Sequence, residues 1–125
     1  MASFSDEELR YLTGERRLGR LATADASGRP HVVPVGMWRY NPDLGTLDVT
    51  GHNFAASRKF RNVQDNPQAA FVVDDLVSTD PWRPRSVMVQ GPAQALEASP
   101  DTGREAIIRI RPEKIVSMGL GPPPP

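Results

Sequence analysis

From residue 18 onward, apolar and β-branched residues come in short runs broken by Gly, Pro, Asn and Asp, the punctuation of strands joined by tight turns. The pattern predicts strands over residues 18–24, 31–40, 46–51, 68–74, 86–96, 107–110 and 114–118. In the first, Leu18, Arg20 and Ala22 alternate with Gly19, Leu21 and Thr23, and Asp25-Ala26-Ser27-Gly28 supplies a hairpin turn. The second leads through Asn41-Pro42-Asp43-Leu44-Gly45 into the third, so these strands read as a meander. Val87 and Val89 share one face of a later strand.

Two segments follow a helical period instead. Ser5 with Glu8 three residues later has capping-box spacing, and Leu9 and Leu12 continue one stripe, predicting a helix over 6–16. Ala56, Phe60 and Val63 predict a second helix over 55–65, with Asn53 able to cap it and Asn66-Pro67 ending it. Few strands, two short helices and no β–α alternation give a mainly β chain, a small antiparallel barrel, and exclude a doubly wound dinucleotide fold. No internal repeat is seen. The tail over 121–125, Gly followed by four prolines, reads as an extended, loosely held arm after one domain over 1–120.

A chain of 125 residues suits a single core. Fifteen basic residues balance fifteen acidic ones, so nothing draws the whole molecule to nucleic acid or an anionic membrane, and any anion site must be local. The absence of cysteine excludes disulfides, Cys-ligated zinc and thiol nucleophiles, and fits a reducing cytoplasm. No apolar run is long enough to span a bilayer, and the first residues are acidic where a secretory signal is basic, so a soluble cytoplasmic protein is expected.

Familiar catalytic constellations are missing. His31 and His52 are the only histidines, in no metal-ligand spacing, and no nucleophile elbow, Walker loop or dinucleotide fingerprint occurs, so no side chain is singled out as catalytic and no metal is expected. Asp74-Asp75 with Asp80 is read as solvated loop carboxylates in preference to a cation site. The stretch Asn53-Phe54-Ala55-Ala56-Ser57-Arg58-Lys59 is more informative, because it sets a hydroxyl and two cations in the first turns of a helix, where cations oppose the dipole. A phosphate on that helix end resolves the conflict; a solvated basic face, or pairing with Asp65, is the alternative. Pro34 and Gly36 lie two apart on one strand face, fitting either a barrel bend or a flat ligand laid against bare backbone. If both ligand readings hold, ring on strand and phosphate on helix describe a flavin-like molecule.

Three runs carry a resemblance. Thr50-Gly51-His52-Asn53 with Ser57-Arg58-Lys59, then Asn66-Pro67-Gln68-Ala69-Ala70-Phe71, then Arg85-Ser86-Val87-Met88-Val89-Gln90-Gly91, resemble in order and spacing the pyridoxamine 5′-phosphate oxidase-like split-barrel superfamily, over most of the chain. Gly19-Arg20-Leu21-Ala22-Thr23, Pro30-His31-Val32-Val33-Pro34-Val35, and Val73-Asp74-Asp75 before Pro81-Trp82-Arg83-Pro84-Arg85 are most similar to the actinobacterial branch that uses the deazaflavin coenzyme F420. The resemblance implies a six-stranded antiparallel split β-barrel that forms a homodimer, with two cofactor sites at the subunit interface. It implies that Ser57, Arg58 and Lys59 grip the cofactor phosphate, that Val33, Pro34, Val35 and Gly36 lie beside the isoalloxazine-type ring, and that Thr50 and Gly51 follow the ribityl chain. Arg85 matches the opening residue of the family's Arg-Gln-Val-Arg strand, while Ser86 and Met88 replace its Gln and second Arg.

The oxidase's pyridoxal phosphate-binding C-terminal segment has no counterpart here, which argues against vitamin B6 oxidation. The activity implied is F420-dependent hydride transfer to a small conjugated or quinone-like substrate. The alternatives are an FMN-dependent oxidoreductase on the same scaffold and a non-catalytic protein that carries a cofactor or tetrapyrrole. Arg61 would suit the extra carboxylates of the F420 tail. His52 and Tyr40 are the nearest candidate proton donors, each with a purely structural alternative, and Trp82 reads either as a lip of the substrate mouth from the partner subunit or as an ordinary interface aromatic.

Overall fold

The computed structural model describes residues 1–122, so the last three positions of the expected arm lie outside the described residues. In chain order it contains α1 (Asp6–Thr13), β1 (Gly19–Ala24), β2 (Pro30–Val35), β3 (Trp38–Asn41), β4 (Thr46–Val49), α2 (Arg58–Asp65), β5 (Gln68–Thr79), β6 (Trp82–Leu96), β7 (Ile107–Ile110) and β8 (Lys114–Met118). Single 3₁₀ turns cover Phe54–Ala56 and Pro100–Thr102. Eight strands stand where six were expected, and the mainly β antiparallel class is as the sequence predicts.

The strand order is β2-β1-β5-β6-β7-β4-β3, with β8 also paired to β6. The closure rests on β6, whose residues 86–90 pair with β8 and whose residues 93–96 pair with β7. Between those halves lies Gly91, where a Cβ would stand 2.0 Å from the Arg111 carbonyl oxygen. Only glycine lets the two backbones approach so closely.

The expected meander is replaced by two hairpins. β1 pairs with β2 and β3 with β4, but the predicted strand over 31–40 breaks at Gly36 and Met37, and its halves go to opposite edges of the sheet. Pro34 has no N–H to donate, so β2 suits an edge. Trp38 turns inward to 3% exposure and meets Phe71 edge to face, with ring centroids 5.2 Å apart, a contact worth about 1 kcal/mol beyond the area buried. Arg16 crosses the break, donating to the carbonyls of Gly36 and Trp38.

The core is built from the inward halves of the strands. Leu21, Leu47, Val73, Val87, Val89 and Ile108 are fully buried, and Phe60 and Val63 of α2 cover one end. Asn62 of α2 donates to Thr23 Oγ1 of β1 at 3.0 Å, satisfying two buried polar groups and fixing the helix against the sheet. α1 has the expected capping box, Glu8 N–H donating to Ser5 Oγ and Ser5 N–H to Glu8 Oε1. It ends at Thr13 instead of residue 16, because Gly14 leaves the helical region and returns Arg16 and Arg17 to the barrel. No helix among the described residues is long and apolar enough to cross a membrane.

Gly91→Ala is expected to lower stability by about 2 kcal/mol or more, because the methyl meets backbone instead of a movable side chain. A denaturant titration with an unchanged midpoint would contradict this.

Candidate functional site

The second helix begins later than expected. Asn53 sits in the left-handed region at φ 49° and makes no capping hydrogen bond, so the residues after it form the 3₁₀ turn. Ser57 is the cap: its Oγ accepts from Phe60 N–H at 3.3 Å and donates to Phe54 O at 2.6 Å. Arg58 and Lys59 then occupy the first helical turn, with no acidic residue there. As the first two residues of a helix, they present backbone N–H groups that have no intrahelical acceptor. Among the described residues Arg58, Lys59 and Arg61 make no ion pair, so the alternative pairing with Asp65 is not seen. Lys59 Nζ rests 5.2 Å from the Phe54 ring centroid, a cation–π contact that leaves its N–H donors free.

A chain of contacts joins this helix start to the sheet break. Phe54 lies beneath Gly51, where a Cβ would come within 3.3 Å of its ring. Thr50 N–H donates to Met37 O at 2.8 Å, next to Gly36, and its hydroxyl donates to Ala106 O at 2.7 Å. These contacts link Met37, next to Gly36, to Thr50, and Gly51 through Phe54 to Ser57 and Lys59, with Arg58 exposed. Pro34 of β2 and Gly36 just after it are exposed, whereas Val35 is buried and Val33 half-buried. The strand thus alternates exposed, side-chain-poor positions with covered apolar ones.

These features accept a flavin-type group: helix-end amides and unpaired cations suit a phosphate, and a flat, side-chain-poor strand suits a ring. The Ser57 hydroxyl proton is engaged by Phe54 O, so contact between that hydroxyl and an anion requires it to turn away from the carbonyl. His31, which sequence reasoning set aside, is also notable. It shares the inward side of β2 with Val33 and Val35, and its Nδ1 is buried with no hydrogen-bond partner. Nothing in the local sequence marks that nitrogen, because its isolation depends on packing.

Arg85 is held elsewhere. Its Nε and Nη2 donate to Asp75 Oδ1 at 2.9 Å and Oδ2 at 2.6 Å, and the same carboxylate accepts from Tyr11 Oη at 2.9 Å and Arg17 Nε at 3.0 Å. Arg17 also stacks 4.1 Å from the centroid of Tyr11. Asp74 pairs with Arg20. The reading of Asp74 and Asp75 as loop carboxylates is corrected by this: β5 continues through both, and each meets an arginine of another strand or segment. Of the two candidate proton donors, Tyr40 packs edge to face on Phe4 and His52 is exposed.

A split antiparallel barrel with a basic helix start defines the class of fold, a flavin- or deazaflavin-type scaffold. The chain belongs to the pyridoxamine 5′-phosphate oxidase family, whose profile matches residues 5–119. It is 44% identical over 124 residues to a 5a,11a-dehydrotetracycline/5a,11a-dehydrooxytetracycline reductase of Streptomyces rimosus subsp. rimosus, covering 94% of this chain and 84% of that one. Among solved structures it is similar to an F420 reductase (TM-score 0.65, 21% identity, 86% of this chain and 94% of that one). It is also similar to HutZ, the heme storage protein of Vibrio cholerae (TM-score 0.70, 19% identity, 93% and 96% covered). The two structural likenesses establish the fold; the family and the reductase relative set the chain among oxidoreductases.

The Asp75 cluster has a measurable signature. The Arg85 hydrogen bonds lead in pulling the Asp75 carboxyl down to about 2, against the opposing effect of its burial and with Arg17 and Tyr11 assisting. Its contribution to stability is therefore full above about pH 4 and lost as pH falls towards 2, on the order of 1 to 2 kcal/mol for a partly exposed group. Burial, then the bond to Asp75, pushes Tyr11 up to about 12, a contribution present below pH 10 and lost as pH rises to 12. Asp75→Asn is expected to remove the acid-limb loss and to bring the Tyr11 titration, followed by phenolate absorbance, back towards 10.

Proposed function

We propose that this protein is an F420-dependent reductase that transfers hydride to a conjugated C=C or quinone-like acceptor. The observation that carries the reading is the start of α2: two cations, two unbonded amides and no acid, joined through Phe54 to Gly51, whose neighbour Thr50 bonds Met37 at the sheet break. The 44% identical relative, named for reduction of a dehydrotetracycline, supports the acceptor class, and the F420 reductase of the same fold supports the cofactor.

When bound, a reduced deazaflavin supplies the hydride from its own ring carbon. The protein's share is positioning. Arg58 and Lys59 hold the phosphate with charge-assisted bonds, Thr50 and Gly51 border the chain between phosphate and ring, and Val33, Pro34, Val35 and Gly36 form the strand on which the ring lies. Arg61, exposed on the outer side of α2, suits additional tail carboxylates. Arg85, also a candidate cofactor-binding residue by resemblance, has its guanidinium bound to Asp75.

We also propose the homodimer. The outer face of the sheet carries Val32 opposite Ala22, and Met88 opposite Val72 and Val116, with Val32, Val116 and Met118 between 43% and 65% exposed. A second copy is the occupant that buries such a face while closing each cofactor site.

Titration of the purified protein with F420 and with FMN at fixed salt is expected to show tighter F420 binding. Tight FMN binding with no F420 binding would hand the assignment to the FMN-dependent alternative. Lys59→Ala is expected to weaken cofactor affinity more than tenfold without loss of fold, since one charge-assisted bond is worth roughly 1.5 to 3 kcal/mol. Unchanged affinity would remove the phosphate grip from α2.

A further inference from the structure

The hairpin that joins β5 to β6 extends past the barrel and forms, with the C-terminal segment, a cleft of about 580 Å³. This volume lies within the range of small-molecule sites. One wall is Pro81-Trp82-Arg83-Pro84, another is Val77, and residues 119–122 form the floor. The floor depends on Gly119, at φ 71°, where a Cβ would stand 2.1 Å from the Pro84 carbonyl oxygen. The prolines and this close approach limit the cleft's freedom to collapse. Trp82 is 67% exposed and Val77 54%, so a large indole face is held in water at the edge of a formed cavity.

Among the described residues the lining holds two arginines and no acidic residue, with Glu7 Oε2 3.7 Å from where a Cβ on Gly121 would stand. Of its two arginines, Arg85 is held by both oxygens of Asp75, whereas Arg83 makes no side-chain hydrogen bond or ion pair among the described residues. An exposed indole and an unpaired guanidinium that line one cleft, with prolines between them and the floor, can recognise a flat aromatic body by stacking and an attached anionic oxygen by ion pairing.

We infer that this cleft binds a planar fused-ring compound bearing a phenolate, enolate or carboxylate, stacked on Trp82 and paired with Arg83. The site is tested without cofactor.

Calorimetric titration of the intact protein with 3-hydroxy-2-naphthoate is expected to show saturable binding, weakened at least fivefold in Arg83→Gln and in Trp82→Leu. The methyl ester is expected to lose the Arg83-dependent part, and cyclohexanecarboxylate the Trp82-dependent part. In the wild type, naphthoate is expected to quench the exposed Trp82 while leaving the buried Trp38 emission. Lys59→Ala is expected to bind naphthoate as the wild type does. Failure of F420 binding alongside intact naphthoate binding would thus sink the cofactor reading and leave this site standing. No naphthoate binding, or equal affinity in both cleft variants, overturns the proposal. So does a Trp82→Leu protein that changes oligomeric state while wild type never binds naphthoate, which would make the indole an interface residue.

Discussion

One carboxylate ties the ends of the molecule together. Asp75, on β5, accepts from Tyr11 of α1, from Arg17 in the segment after α1, and from Arg85 on β6. Arg17 O in turn accepts from Trp38 Nε1 at 2.8 Å, and Arg16, one residue earlier, lies 5.1 Å from the Trp38 ring and holds the Gly36 carbonyl. The N-terminal segment, the sheet break and the hairpin base are thereby fixed by one connected set of bonds. Removing a member of such a set leaves buried or half-buried charges without partners, which costs far more than the net value of the bonds while intact.

That constraint explains how a small barrel can afford a split. Strands β2 and β3 are consecutive in the chain yet stand at opposite edges, so their outer backbone groups have no ladder partner. Arg16 satisfies two of the carbonyls at the break, and Thr50 N–H satisfies that of Met37. What remains exposed is Pro34 and Gly36, with the Leu18 side chain 3.7 Å from where a Cβ on Gly36 would stand. The same break that interrupts the sheet therefore creates the flat surface on which the proposed ring lies, and it does so beside Gly51 and the start of α2.

Local rules were legible in the sequence wherever local groups decide the outcome. The Ser5–Glu8 box, the Asp25–Gly28 turn, the buried faces of Val87 and Val89, and the basic first turn of α2 all appear as the spacing predicts. The misreadings share a cause. Asn53 and Ser57 are both good caps, and the choice between them was made by Phe54 and Phe60, which pack at 6.0 Å and require the intervening turn. The strand over 31–40 broke because Trp38 found Phe71, and Asp74 and Asp75 remained in a strand because Arg20, Arg17 and Arg85 lie across from them. In the two strand cases the deciding partners stand 10 to 58 residues away, outside the runs from which those strands are read. His31 Nδ1 belongs to the same group.

The zero net charge conceals the polarity on which the proposed site depends. Asp48 is taken by Arg109, Asp74 by Arg20, Asp75 by Arg17 and Arg85, and Glu15 by Arg17. Burial works against ionised Asp48, but Arg109, Asn41 and Thr46 prevail and hold its carboxyl below its ordinary range, so it stays an anion matched to its own cation. Acids matched within the sheet are withdrawn from the rest of the surface. The first turn of α2 contains none, and Arg58, Lys59 and Arg61 have no counter-ion among the described residues. A neutral chain thus presents a locally cationic helix end, where opposition between side-chain charge and helix dipole is relieved by an anion from outside. The imbalance arises from how the fold distributes its ion pairs, and that is why composition alone gave no sign of it.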